Sequence, residues 1–271
     1  RDILEESDFT VDENGFYEAM EAHRLASGKG QATAETDHSK LELYQSLAKQ
    51  LSDEGLLGSE GVIHDPYTSL SKPSQLLAII KDGTLVTQAN HGDELELILR
   101  ATPFYIESGG QVTDTGNIIS SPAGVWEVAI DNVSKPVAGL IVHHGKVLSG
   151  TVKTDDSVIA SVDETKRRAI MRNHTGTHLL HAALRQILGE KVHQAGSAVD
   201  PDRMRFDFNY PKAVSKKDLL EIEALVNRYI ADEYPVIKQS KTLEQARQDG
   251  AIALFGEKYG NEVRTVEITD Q

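Results

Sequence analysis

Hydrophobic and polar positions change period twice along this chain. Residues 12–26 follow a helical pattern that Ser7 or Thr10 can cap, and Ser27-Gly28-Lys29-Gly30 stops it. Residues 28–39 are small and polar and predict a flexible stretch. From about Leu41 the pattern shortens to strand-like runs at 61–64, 75–80, 84–87 and 94–99, then at 116–119, 125–133, 139–143 and 150–153. Gly, Pro, Asp and Asn separate them, and Lys81-Asp82-Gly83 is a strong hairpin signal. After Val158 the period turns helical over 163–188, then alternates polar and apolar over 203–209. Ser215-Lys216-Lys217-Asp218 opens an amphipathic helix carrying Leu219, Ile222, Leu225, Val226 and Ile230. Strand-like runs at 234–238 and 262–268 flank a short helix at 243–248. The expected class is α+β: a small antiparallel β-barrel over 41–155, preceded by a helical segment and linker over 1–40 and followed by an α+β domain over 156–271 with a metal-site helix.

Composition narrows the function classes. The chain of 271 residues has ordinary apolar and charged fractions, and no run of about 18 apolar residues to cross a bilayer. It contains no cysteine, which removes disulfides and thiolate ligands and fits a reducing compartment, with cytoplasm as the expectation. A formal net charge of −14 argues against a surface that attracts nucleic acid as a whole. A local basic patch remains: Lys166, Arg167, Arg168 and Arg172 before residue 173, and Arg203 and Arg205 on the later strand. A solvated helix face explains those charges equally well.

The candidate chemistry sits in Asn173-His174-Thr175-Gly176-Thr177-His178, where two imidazoles four residues apart share one helix face. The apolar stripe that continues to Leu188 would anchor them in a rigid element. Ordinary helix-surface histidines are the competing reading. No glutamate follows His174 directly, so the zinc-protease arrangement is excluded. The run from Glu107 to Gly116 contains Gly109 and Gly110 but lacks both a Gly-Lys-Ser/Thr ending and a Gly-x-Gly-x-x-Gly spacing, so it is not a nucleotide-phosphate loop. Its plain reading is a barrel turn with positive φ at Gly109 or Gly110. His143-His144 reads as a strand end without chemistry. Asp207 beside Arg205 reads as a surface ion pair or a group reaching the site.

Residues 172–185, Val192-His193-Gln194-Ala195-Gly196-Ser197 and residues 203–208 together resemble the editing domain of alanyl-tRNA synthetases. Phe104-Tyr105-Ile106-Glu107-Ser108-Gly109-Gly110-Gln111-Val112-Thr113-Asp114-Thr115-Gly116 resembles the glycine-rich segment of the barrel before that domain, and residues 1–34 resemble the end of the tRNA-recognition region. The resemblance covers essentially the whole chain. It implies hydrolysis of the ester in Ser-tRNA(Ala) or Gly-tRNA(Ala), within a parent enzyme that joins alanine to tRNA(Ala). It further implies zinc held by His174 and His178, with Gln194 close to the reacting group and Thr177 at the discriminating position. Gly109, Gly110, Arg172 and Arg205 would contact substrate or tRNA. In that family a cysteine and a histidine beyond the strand resembling residues 264–268 complete the zinc site. They have no counterpart before Gln271, so the expected site is incomplete, the expected zinc content low and the domain truncated at its C-terminus. ATP and magnesium would serve only the parent enzyme, and the partners would be tRNA(Ala) and the remainder of that synthetase. The rival expectations are a freestanding editing protein, disfavoured by the helical segment at 1–26, and a non-catalytic tRNA-docking module.

Overall fold

Tyr44, Leu47 and Leu51 recur at helical spacing and are all buried, and neither Gly nor Pro interrupts residues 31–53. These residues form helix α1 (Gln31–Asp53), so the expected linker ends earlier than residue 39 and the strand pattern begins later than Leu41. The computed structural model describes residues 31–122, 124–251 and 260–269. The helix expected at 12–26 lies outside them.

The described residues divide into two units. The first takes those up to Phe104 together with Gly116–Ser161, and the second takes Tyr105–Thr115 and those from Val162 onward. The glycine-rich run, expected inside a barrel domain spanning 41–155, therefore folds with the second unit instead.

In the first unit the strands run in order β1 (Ile63–His64), β2 (Ser71–Lys81), β3 (Thr84–Val86), β4 (Gln88–Asn90), β5 (Glu94–Leu99), β6 (Ala101–Thr102), β7 (Gly116–Ser120), β8 (Glu127–Val137), β9 (Leu140–Ser149), β10 (Thr151–Lys153) and β11 (Ser157–Val162). β2, β5, β9, β8, β7 and β11 close into a six-stranded antiparallel barrel, with β11 pairing back onto β2 and β3 extending the edge. Closure leaves no free edge among those six strands. β2 and β3 meet in the expected hairpin, Lys81 opposite Thr84, through Asp82 and Gly83 at φ 50° and 72°. Two successive positive φ values make a primed two-residue turn, which the Asp-Gly pair tolerates. The short strands β4 and β6 and the last barrel strand β11 were not legible as strands, whereas β10 falls within the run expected at 150–153.

The barrel core holds Leu76, Ile79, Leu97, Ile98, Leu99, Phe104 and their neighbours, all essentially inaccessible to water. His143 joins them. It lies within β9 rather than at a strand end, hydrogen-bonded to Thr102 Oγ1 at 2.7 Å and Leu97 O at 3.1 Å. α1 reaches the same unit through polar contacts: Tyr44 donates to Glu96 at 2.8 Å, and Lys40 pairs with that carboxylate at 2.5 Å. Burial and the Glu96 carboxylate raise the Tyr44 pKa.

The second unit is built on α2 (Glu164–Leu188), one continuous helix through the span expected at 163–188. Asp163 caps it by accepting the Lys166 N–H, and Gly189 ends it. A hairpin of β12 (Gln194–Val199) and β13 (Met204–Phe208) follows, then α3 (Lys216–Ala231), capped by Ser215. β14 (Val236–Thr242) and β15 (Glu262–Ile268) pair antiparallel around the short helix α4 (Leu243–Gln248), as the sequence predicts. Ala183 and Leu184 of α2, Val192 and Ile222 of α3 form the core, with Phe206 and Phe208 of β13 against it. Burial of Leu184, Val192 and Ile222 contributes about 1.5–3 kcal/mol each. The stripe expected on α3 is only partly used, because Leu219 and Ile230 remain more than half exposed.

Candidate active site

On α2, positions 174, 177, 178 and 181 follow the i, i+3, i+4, i+7 rhythm that puts side chains on one face. His174 and His178 accordingly stack, ring centroids 5.1 Å apart and planes inclined by 19°. His174 is half-buried, and the protein around it lowers its pKa first by excluding water, then through His178 and the charge of Arg264. His178 keeps an open, exposed side, yet the packed protein beside it lowers its pKa as well. Both imidazoles are therefore neutral at neutral pH, each with one nitrogen lone pair to offer.

His174 does not stand alone. Its Nδ1–H donates to Gln111 Oε1 at 2.7 Å, and Gln111 is only 6% exposed. Gln111 belongs to Tyr105–Thr115, where Gly109 and Gly110 take φ of 59° and 80°. A Cβ at Gly110 would come within 2.4 Å of Ser197 O, so glycine is required there by contact as well as by φ. Positive φ was expected at these glycines, but the turn packs on β12 rather than completing the barrel. The segment's end is clamped by Asp114, which is 1% exposed and forms a bidentate pair with Arg167 while accepting the Tyr105 N–H at 2.6 Å.

That clamp corrects the basic patch. Arg167 points inward to Asp114 and offers nothing to a ligand surface. Arg168 pairs with Glu164, Arg203 with Asp200, and Arg205 with Asp207 at 3.0 Å. Lys166 bonds Thr115 Oγ1 at 3.2 Å. Arg172 is exposed and forms neither an ion pair nor a hydrogen bond through its side chain among the described residues.

The remaining predicted residues spread out. Thr177 is 4% exposed, and its hydroxyl donates to Asn173 O at 2.9 Å, the internal back-bond open to any helical threonine. Its oxygen keeps acceptor capacity. Gln194 sits on β12 opposite Phe208, half-buried and without a hydrogen bond to either histidine among the described residues. Small residues at 195–198 concealed that strand, because strand propensity favours larger β-branched and aromatic side chains. His181, three residues past His178, is 6% exposed, packs on Phe206 at 5.1 Å and leaves Nε2 without a hydrogen bond among the described residues.

The pair fits a zinc ion as two of its ligands: neutral imidazoles, nearly parallel, with the His174 Nδ1 proton engaged by Gln111 and no hydrogen bond to Nε2 among the described residues. Among the described residues no cluster of three or more His, Cys, Asp or Glu side chains gathers in metal-binding geometry. No described helix is long and apolar enough to cross a membrane.

A family model described as tRNA synthetases class II (A) matches residues 1–166, ending within the first turn of α2. The alanine–tRNA ligase of Desulforamulus reducens is 42% identical over 270 residues, 100% of this chain and 30% of the relative. That of Carboxydothermus hydrogenoformans is 44% identical over 268 residues, 99% of this chain and 29% of the relative. That of Fervidobacterium nodosum is 43% identical over 271 residues, again 100% and 29%. The chain thus spans about 30% of the length of the curated relatives it matches. Matched by the family model over more than half its length and by alanine–tRNA ligases along all of it, the chain belongs to the class II (A) tRNA synthetases.

Proposed function

We propose that this chain is the editing part of an alanine–tRNA ligase, hydrolysing the ester of Ser-tRNA(Ala) or Gly-tRNA(Ala) at the face formed by His174 and His178. Its partners are then tRNA(Ala) and the rest of the parent synthetase, and its compartment the cytoplasm. The observation that carries the reading is the near-parallel stack of two neutral imidazoles with one side open. Rings turned apart or sealed in apolar packing would have left no place for a reacting ester. The relatives' printed name supports the parent activity, and joining alanine to tRNA calls for rejecting serine and glycine carried on the same tRNA.

His174 and His178 would hold the divalent ion. That ion, when bound, supplies a Lewis acid, a lowered water pKa or a handle for the substrate amine. The chain's own residues do the rest. Gln194 orients water or the substrate through its amide, having no basicity near neutral pH. Gly110 keeps the backbone beside β12 free of a side chain, Gly109 supplies the positive φ that forms the turn, and Arg172 offers a cation to the RNA backbone.

Selectivity falls to Thr177. With its proton given to Asn173 O, the hydroxyl oxygen only accepts, and the serine hydroxyl donates to it. Alanine brings no donor. Size cannot make this distinction, since a pocket for serine admits alanine, whereas an unmet polar group can.

Deacylation assays with the parent ligase test the reading in two arms. His174→Ala and His178→Ala are expected to lower Ser-tRNA(Ala) hydrolysis about a hundredfold or more while alanine ligation continues. Thr177→Val is expected to admit correct Ala-tRNA(Ala), reducing serine-over-alanine discrimination at least about tenfold. Hydrolysis indifferent to both histidines, with tRNA binding retained, would make the chain a docking module instead.

A further inference from the structure

Gln111 reaches His174 from a segment that lies between β6 and β7 in the chain, and every part of its mounting is fixed. Its own N–H donates to Ser108 O at 3.0 Å, closing the turn through Gly109 and Gly110. On either side, Gly110 O accepts the Val199 N–H at 2.7 Å and the Val112 N–H donates to Val199 O at 3.1 Å, tying the backbone to the end of β12. The Asp114–Arg167 pair holds the same segment to α2 about two turns before His174. A buried amide oxygen on so rigid a mount can accept only from an imidazole nitrogen that carries its hydrogen.

We propose that Gln111 is a positioning residue that fixes His174 as the Nδ1–H tautomer and fixes its ring plane, so that Nε2 is the nitrogen presented on the open face beside His178. This deepens the proposed function and rests on it for the use made of Nε2. The tautomer itself does not depend on that reading. Metal-ligating histidines commonly have the second nitrogen held by a carbonyl or carboxylate, and loss of such a partner weakens metal affinity by about 10–100-fold. Here a carboxamide delivered by a glycine-rich turn takes the part.

The test is nitrogen-15 NMR of the His174 imidazole in the full chain, at a pH where the ring is neutral, with zinc affinity measured by competition. Wild type is expected to show Nδ1–H. Gln111→Ala is expected to shift the ring toward Nε2–H and to weaken zinc binding about 10–100-fold. Gln111→Glu, whose carboxylate accepts the same hydrogen, is expected to restore both. A wild-type ring carrying its hydrogen on Nε2 overturns the proposal, as does a Gln111→Ala protein that keeps Nδ1–H with zinc affinity unchanged, or a Gln111→Glu protein that loses Nδ1–H. Deacylation that proves independent of His174 and His178 removes the proposed function while leaving this tautomer result in force, so the two failures are distinguishable.

Discussion

His143 and His174 are the same residue type put to opposite uses by their surroundings. His143 is fully buried in the barrel, both ring nitrogens hydrogen-bonded and Phe104 edge-on at 5.4 Å. Burial, foremost, lowers its pKa to about 4 from an ordinary 6.5. The unfolded chain therefore binds a proton in the window between about 6.5 and 4 that the folded chain refuses, and stability falls as pH drops through it. From this residue alone the loss by pH 4.5 is about 2–3 kcal/mol. Denaturant unfolding of wild type and His143→Gln between pH 7 and pH 4.5 checks it: the variant should lose less stability by about that amount, and parallel curves would contradict the assignment. The sequence showed His174 and His178 by spacing, and it showed Thr177 beside them. It could not show the burial of His143, because a histidine closing an apolar run looks the same whether its nitrogens find partners or not.

Among the elements, α2 was the most legible, since a polar cap, a histidine pair and a long apolar stripe all agree with one helix. From its local pattern the glycine-rich segment was legible only as a turn, and only the family resemblance connected it with the site. Its polar residues Gln111 and Asp114, directly after the positive-φ glycines, were the signal that it serves the site, but their partners lie 63 and 53 residues away in sequence. Local pattern carries no information over such a span. Arg167 is the counterpart error: grouped by sequence with solvated cations, it is the one arginine of the group turned inward. A buried pair broken on one side leaves an uncompensated charge, so Asp114→Asn is expected to destabilise the second unit by about 3–5 kcal/mol. Thermal unfolding followed by tryptophan-independent signals such as amide circular dichroism would read this, and the His174–Gln111 contact should loosen with it. A melting curve unchanged by Asp114→Asn would show that the clamp contributes nothing.

For the whole molecule, one described segment folds apart from the unit that flanks it in sequence. The α+β class and the barrel were readable because short alternating strands and turn residues dominate residues 61–153. The boundary was not, since residues 105–115 leave the barrel between two of its strands to join the unit that carries the histidines. The candidate site is thus assembled from two separated stretches of sequence, one supplying the imidazoles and the other their orientation. Under the proposed function, a net charge of −14 with Arg172 exposed and without an ion pair among the described residues fits recognition of a reacting terminus better than broad adhesion to RNA.

Chemical-shift mapping of the full chain with an adenosine that carries serine through an amide in place of the labile ester goes to the central claim, that this face receives the aminoacylated end of a tRNA. The account predicts that the His174 and His178 imidazoles and the Gln111 carboxamide shift on titration while the His143 ring stays fixed. Shifts confined to the barrel, with both imidazoles of α2 unmoved, would contradict it.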